Sequence, residues 1–213
     1  MNDKIILEPI KDKLLPSTIT DLFDESFKHY FESRFGKPDT ILVWDKDETW
    51  VSKRDNVLAF HDNFIRYFIL PVAKSSGVLN VLWTLSNTKS LLNALSMRPD
   101  LLEVLDLLIT DSVFIRVEEF YHKTEQKSEE DVRQIIQHEK LLLQKPINQI
   151  FKGLYKKQIF LVDDRCEYCD IDTWNLMVEP EQCIRAPTFE EQQDERFIKQ
   201  LAKQFQKRLK HND

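Results

Sequence analysis

Apolar positions recur along the 213 residues with two alternating periods. In the stretch 18–35, Ile19, Leu22, Phe23, Phe27, Tyr30, Phe31 and Phe35 fall at three- and four-residue spacing, which gathers them on one face of a helix. Gly36, Lys37 and Pro38 end it, because glycine accepts the left-handed turn after a helix and proline cannot continue one. Thr40-Ile-Leu-Val-Trp44 is short, unbroken and β-prone, and predicts a strand buried on both faces. After a polar stretch at 52–56, the pattern predicts a helix over 58–74, closed by Ser75, Ser76 and Gly77, and then a second buried strand over 78–83. Short helices over 89–97 and 99–108, a strand over 112–118 and helices over 128–143 and 146–154 follow. A strand over 158–162 ends in two aspartates, and a fifth strand is expected over 182–186.

Strands alternating with helices imply an α/β fold of Rossmann-like, three-layer α/β/α type with a mainly parallel central sheet. In such sheets ligands bind beyond the carboxyl ends of the strands. Asp45, Thr84 and Asp163 all fall at such ends.

Composition narrows the classes. Hydrophobic residues are 42% and charged residues 31%, the balance of a chain that folds into a core rather than staying disordered. No apolar run approaches the ~20 residues of a membrane-spanning helix. Charges interrupt the first residues where a signal peptide needs an apolar stretch. A net charge of -6 argues against a general nucleic-acid binder. Three glycines are too few for a phosphate-cradling loop, which removes P-loop and dinucleotide-binding readings. Three cysteines do not make a disulfide framework, and the expectation is reduced thiols in a reducing, cytoplasmic compartment.

The segment from Asp45 to Thr49 reads Asp-Lys-Asp-Glu-Thr and directly follows an apolar strand. Downstream come Thr84 at a strand end, Lys145 before Pro146 and a helix, and Asp163-Asp164 after Ile159-Phe-Leu-Val162. These four features, in this order, resemble the motifs of haloacid dehalogenase superfamily phosphatases over residues 41–164. The resemblance implies that Asp45 is a nucleophile forming an aspartyl phosphate and Asp47 a general acid and base. It implies Mg2+ held by Asp45 and Asp163, by the backbone carbonyl of Asp47, and by Asp164 either through water or by holding Lys145. Thr84 is expected to hydrogen-bond a phosphoryl oxygen and Lys145 to offset the negative charge. Ser86 is the alternative to Thr84, and Lys140 and Lys152 are alternatives to Lys145. Dehalogenases lack the second aspartate, so Asp47 points to phosphatase chemistry.

The gaps between these motifs leave no room for a large cap domain, and an open site suits a phosphorylated protein substrate. Asp45-Lys-Asp47-Glu-Thr49 is similar to the motif of phosphatases acting on the C-terminal domain of RNA polymerase II. With Trp50 and Asp163-Asp164 it is closer to the capless magnesium-dependent phosphatases associated with phosphotyrosine. The expected activity is therefore a phosphoprotein phosphatase with phosphotyrosine favoured over phosphoserine and phosphothreonine. A small-metabolite phosphatase and a non-catalytic binding domain are the alternatives. Lys46 stands where an apolar residue is usual; with Thr49 and Ser86 it is expected to contact substrate, or else it is merely solvated.

Cys166, Cys169 and Cys183 invite a zinc reading, but no histidine lies at the spacing a closed site needs. The five histidines form no metal pair and read as ordinary surface or core residues. The stretch 188–210 opens with a capping box, Thr188-x-x-Glu191, and carries Phe197, Ile198, Leu201, Phe205 and Leu209 on one face with lysines crowding its last turns. This helix is expected to pack on the sheet, with contact to a membrane surface or a second domain as the alternative. The expected organisation is an N-terminal helical extension over 1–38, a catalytic domain over 39–187 and the C-terminal helix over 188–213, forming a monomer. Phosphatase motifs of eukaryotic character within a bacterial-looking composition would suit an effector delivered into a host cell.

Overall fold

The computed structural model describes residues 3–15, 25–55, 57–84, 86–110, 159–166 and 182–210. Helices α1 (Asp3–Lys13) and α2 (Glu25–Phe35) precede strand β1 (Thr40–Trp44). A hairpin of β2 (Val51–Arg54) and β3 (Val57–Phe60) comes next. Asp62–Phe64, Ile65–Ile69 and Leu70–Ala73 run on as one helix, α3, whose middle part is a π-helical turn. Then come β4 (Val78–Trp83), α4 (Thr88–Met97), α5 (Pro99–Val104), β5 (Leu107–Ile109), β6 (Ile159–Asp163), β7 (Cys183–Arg185), a 3-10 turn (Glu191–Gln193) and α6 (Glu195–Lys210).

Among the described residues the sheet has five strands in the order β5-β4-β1-β6-β7, all parallel. This is the α/β, three-layer Rossmann-like class that the alternation predicts, with no cap domain among the described residues. Both faces of β1 are buried: Leu42 and Trp44 join the main core, and Ile41 and Val43 on the opposite face are equally enclosed. One polar residue interrupts the β4 run and is fully used. Asn80 accepts from the Trp44 indole at 3.0 Å, donates to the Ala73 carbonyl at 2.9 Å, and its N–H donates to Asp106 at 2.8 Å.

Aromatic rings join α3 to the sheet. Phe68 stacks on Phe64 at 4.8 Å and on Phe205 of α6 at 5.9 Å, and meets Trp44 edge-on at 6.2 Å. The π turn lies just before Pro71, which has no N–H for the Tyr67 carbonyl; widening the helix there accommodates that break. Gly77, at φ +72°, closes the turn into β4, and a Cβ there would fall 2.1 Å from the Asp39 carboxylate.

Three predicted elements change. Leu58 to Phe60 belongs to a strand rather than to the start of a helix, because Asp55 adopts a left-handed φ of 48° and turns the chain so that Ser52 pairs with Ala59. The helix expected over 99–108 stops at Val104, because Asp106 N–H bonds the Asn80 carbonyl at 2.8 Å and draws the next residues into the sheet as β5. The capping box forms, with Thr188 N–H donating to Glu191 at 2.7 Å, but it caps the 3-10 turn. The long helix starts at Glu195, where the Asp194 carboxylate accepts from the N–H groups of Arg196 and Phe197. The elements expected over 112–118, 128–143 and 146–154 lie outside the described residues.

Both terminal helices join the body. Ile10 of α1 is in the core, and Leu15 N–H extends the sheet edge by bonding the Leu108 carbonyl at 3.0 Å. In α6, Ile198, Ala202 and Phe205 are buried and Leu201 and Leu209 pack against the core. Phe197, expected on the same face, is exposed because it lies at the helix's first turn on the edge of that stripe. The expectation of three reduced thiols is corrected: Cys166, just beyond β6, and Cys183, opening β7, form a disulfide with Cα atoms 5.7 Å apart. Adjacent parallel strands bring the two together, a proximity that spacing alone does not show. The reducing-compartment expectation rested on those thiols and loses that support. No helix among the described residues is long and apolar enough to cross a membrane.

Phe68→Ala removes the ring that joins α3, α6 and β1, and is expected to cost about 3–5 kcal/mol, read by urea denaturation. Cys183→Ser opens a loop spanning 17 residues and is expected to cost about 3 kcal/mol by the same measurement.

Candidate functional site

β1 lies at the centre of the sheet, with β4 on one side and β6 on the other, so the carboxyl ends of all three strands open onto one place. Asp45 continues the pairing of β1, its N–H donating to the Val162 carbonyl at 2.9 Å. The chain then leaves the sheet in a tight turn. Trp50 and Val51 N–H groups both reach back to the Lys46 carbonyl, at 3.2 and 3.3 Å, and Glu48 N–H donates to the Val51 carbonyl at 2.9 Å. Glu48 takes a left-handed φ of 59° to close it, a strained conformation of the kind found in site loops.

That turn directs Thr49 back beneath Asp45. Its hydroxyl donates to Asp45 Oδ2 at 3.0 Å and accepts from the Asp164 N–H at 3.2 Å. Thr49 is 0% exposed, so the residue expected to touch substrate instead holds the Asp45 loop against the end of β6.

Asp45, Asp163 and Asp164 each offer a carboxylate oxygen, and these oxygens lie within 4.8 Å of one another. Burial pushes the Asp164 carboxyl up to about 7, and the negative charges of Asp163 and Asp45 add to the effect; Arg165 opposes it. The Arg165 guanidinium lies 3.7 Å from the Asp164 carboxylate. Like charges brought this close are tolerated when a cation neutralises them. Three hard oxygen donors fit a magnesium-like ion, and Asp45, Asp163 and Asp164 are the residues that would hold it.

Asp47 lies on the other side of the turn with its side chain half exposed. Thr84 and Ser86 both donate to its Oδ2, at 3.1 and 2.7 Å, and Ser86 N–H donates to Thr84 Oγ1 at 3.0 Å. The two alternatives for the hydroxyl position therefore both reach the site. Lys46 is 1% exposed and its ammonium pairs with Asp47 Oδ1, so in this structure its charge is directed at the carboxylate rather than at solvent.

Asp45, Lys46, Asp47, Thr49, Thr84, Ser86, Asp163 and Asp164 are thus brought together. Lys145, with Lys140 and Lys152, lies outside the described residues. The residues that spacing did not suggest are His61, Ser52 and Gln192. His61 is 12 residues beyond Thr49 and Gln192 lies in the C-terminal segment, yet His61 Nδ1 lies 3.0 Å from the Thr49 carbonyl and 2.7 Å from Gln192 Nε2. A lone histidine after a short apolar run carries no sequence signal for such a role. Comparison with models of known protein families finds no match for this chain, and comparison with curated proteins finds none either.

The raised Asp164 gives a pH dependence with a definite sign. Between the ordinary carboxylate value of 3.8 and about 7, the folded chain keeps a proton that the unfolded chain has released. Stability of the metal-free chain therefore falls as pH rises through that window and levels off above it. In chelator, wild type is expected to lose more thermal stability between pH 5 and pH 8 than Asp164→Asn does, and added magnesium to raise the wild-type midpoint more at pH 8. Equal pH slopes in the two proteins would remove the assignment.

Proposed function

We propose that this chain is a phosphomonoester hydrolase of the haloacid dehalogenase type, a magnesium-dependent phosphoprotein phosphatase working through an aspartyl phosphate on Asp45. The observation that carries the reading is the convergence of Asp45, Asp47, Thr84, Asp163 and Asp164 at the carboxyl ends of three adjacent parallel strands. Asp45, Asp163 and Asp164 gather their carboxylates and Asp47 meets Thr84 at these strand ends, which supports the reading.

In this reading an Asp45 carboxylate oxygen attacks phosphorus while the bond from phosphorus to the ester oxygen breaks. Asp47 gives its proton to that departing oxygen, which leaves as an alcohol or phenol. Asp47 then takes a proton from a water molecule, whose oxygen attacks the phosphorus and breaks its bond to Asp45. Inorganic phosphate leaves and Asp45 is restored. Thr49 fixes the rotamer of Asp45 through its 3.0 Å hydrogen bond, so the nucleophile is oriented before substrate arrives. Thr84 and Ser86, whose hydroxyls lie beside Asp47, are placed to donate to phosphoryl oxygens. Asp45, Asp163 and Asp164 would hold a divalent cation, which when bound would supply the charge neutralisation that an attack by a carboxylate on a phosphate dianion needs.

The short gaps between the motifs favour an open site and a substrate presented on a protein surface, and the likeness of Trp50 after the Asp45–Thr49 motif and of Asp163-Asp164 to phosphotyrosine enzymes favours an aryl ester. Hydrolysis of para-nitrophenyl phosphate with magnesium is the first measurement. Asp45→Asn is expected to lower turnover by more than roughly a thousandfold and Asp47→Asn by about 10²–10⁴, with both variants still folded by thermal unfolding. Turnover that survives Asp45→Asn, or that persists in chelator, would overturn the assignment. Phosphotyrosine peptides are expected to be cleaved faster than phosphoserine peptides or small sugar phosphates; the reverse order would point to a metabolite phosphatase.

A further inference from the structure

We propose that His61 is a positioning residue for this site, holding the nucleophile loop in register through the backbone of Thr49. The proposal rests on the phosphatase reading above for its consequences in catalysis, but its structural half stands on geometry alone. His61 follows β3 and is 2% exposed. Its own N–H donates to the Trp50 carbonyl at 2.9 Å, which fixes the ring beside the turn that carries Asp45 and Asp47.

The ring then meets polar groups from three parts of the chain. Nε2 lies 2.8 Å from Ser52 Oγ, and that hydroxyl is also 2.9 Å from Glu48 Oε2. Nδ1 lies 3.0 Å from the Thr49 carbonyl and 2.7 Å from the Gln192 amide nitrogen, which itself donates to the Pro187 carbonyl at 2.6 Å. Phe189 closes the ring in edge-on at 5.5 Å, and Arg54 lies over Phe189.

Burial favours the neutral ring, which has a single N–H to share. In the Nδ1–H tautomer the ring donates to Thr49 and Nε2 accepts from Ser52. In the Nε2–H tautomer it donates to Ser52, Ser52 donates to Glu48, and Nδ1 accepts from Gln192. Only the Nδ1–H tautomer bonds Thr49, and it is the one that holds the Asp45 turn; the other tautomer links Ser52 to Gln192 instead. Thr49 in turn holds both the Asp45 carboxylate and the Asp164 N–H. A ring needed only to fill space would not require polar partners on both nitrogens from these three segments.

The two amide variants separate positioning from packing, because the Asn amide reaches the place of Nδ1 and the Gln amide the place of Nε2. Positioning through Thr49 predicts that, in the full chain with magnesium and para-nitrophenyl phosphate, His61→Gln loses kcat roughly 10–100-fold with KM little changed. His61→Asn is expected to keep kcat within about threefold, although both variants lose similar thermal stability. A second readout needs neither turnover nor metal: hydrogen exchange of the Asp164 N–H is expected to speed up in His61→Gln and to stay near wild type in His61→Asn. Equal loss of kcat, or equal exchange, in the two variants overturns the proposal. If wild type shows no phosphatase activity but the exchange order holds, the phosphatase reading falls and the positioning role remains.

Discussion

Three carboxylates, from Asp45, Asp163 and Asp164, are brought together within 4.8 Å because β1 and β6 are hydrogen-bonded neighbours running the same way. Parallel pairing in register, Trp44 beside Val162, makes the two strands finish at the same level, so whatever follows each strand must meet. The apolar residues of both strands are wholly buried, and their packing supplies the free energy against which the repulsion of the acids is held. Asp164 rises to about 7 first because it is buried, and the neighbouring Asp163 and Asp45 charges add to the rise.

The remaining site residues follow from how the chain leaves β1. The strained turn at Glu48 reverses its direction within a few residues, which sends Thr49 inward and leaves Asp47 half exposed at the mouth. The two aspartates are therefore held differently. Asp45 is fixed from below by Thr49, while Asp47 receives Thr84, Ser86 and Lys46 from its own side. Behind the turn, His61 and Gln192 connect it to the C-terminal segment, and the disulfide between Cys166 and Cys183 ties the chain just after Asp164 to β7. The loop beyond β1 and the loop beyond β6 are each held from outside the sheet.

Much of this was legible in the chain itself. Buried parallel strands announce themselves as unbroken β-prone apolar runs, so β1, β4 and β6 were readable, and with them the acids that end β1 and β6 and the Thr84 that follows β4. Amphipathic spacing marked α2 and α6. The hairpin of β2 and β3 was not readable, because Val57 to Phe60 is as apolar as the first turn of a helix. The turn at Asp55, which decides between them, depends on a backbone angle. Likewise the end of α5 is set by a hydrogen bond from Asp106 to Asn80, a residue on a different strand.

The sequence alone therefore determined the alternation of strands and helices, the apolar core and the order of the acidic motifs, since each of these depends on neighbours within a few residues. Only the tertiary structure decided that Thr49 is a buried support, that Lys46 turns toward Asp47, that Cys166 meets Cys183, and that His61 stands between Thr49 and Gln192. These depend on which strands become neighbours and where a turn points its side chains. Such contacts join positions tens of residues apart or hinge on one backbone angle, and local periodicity carries no record of either.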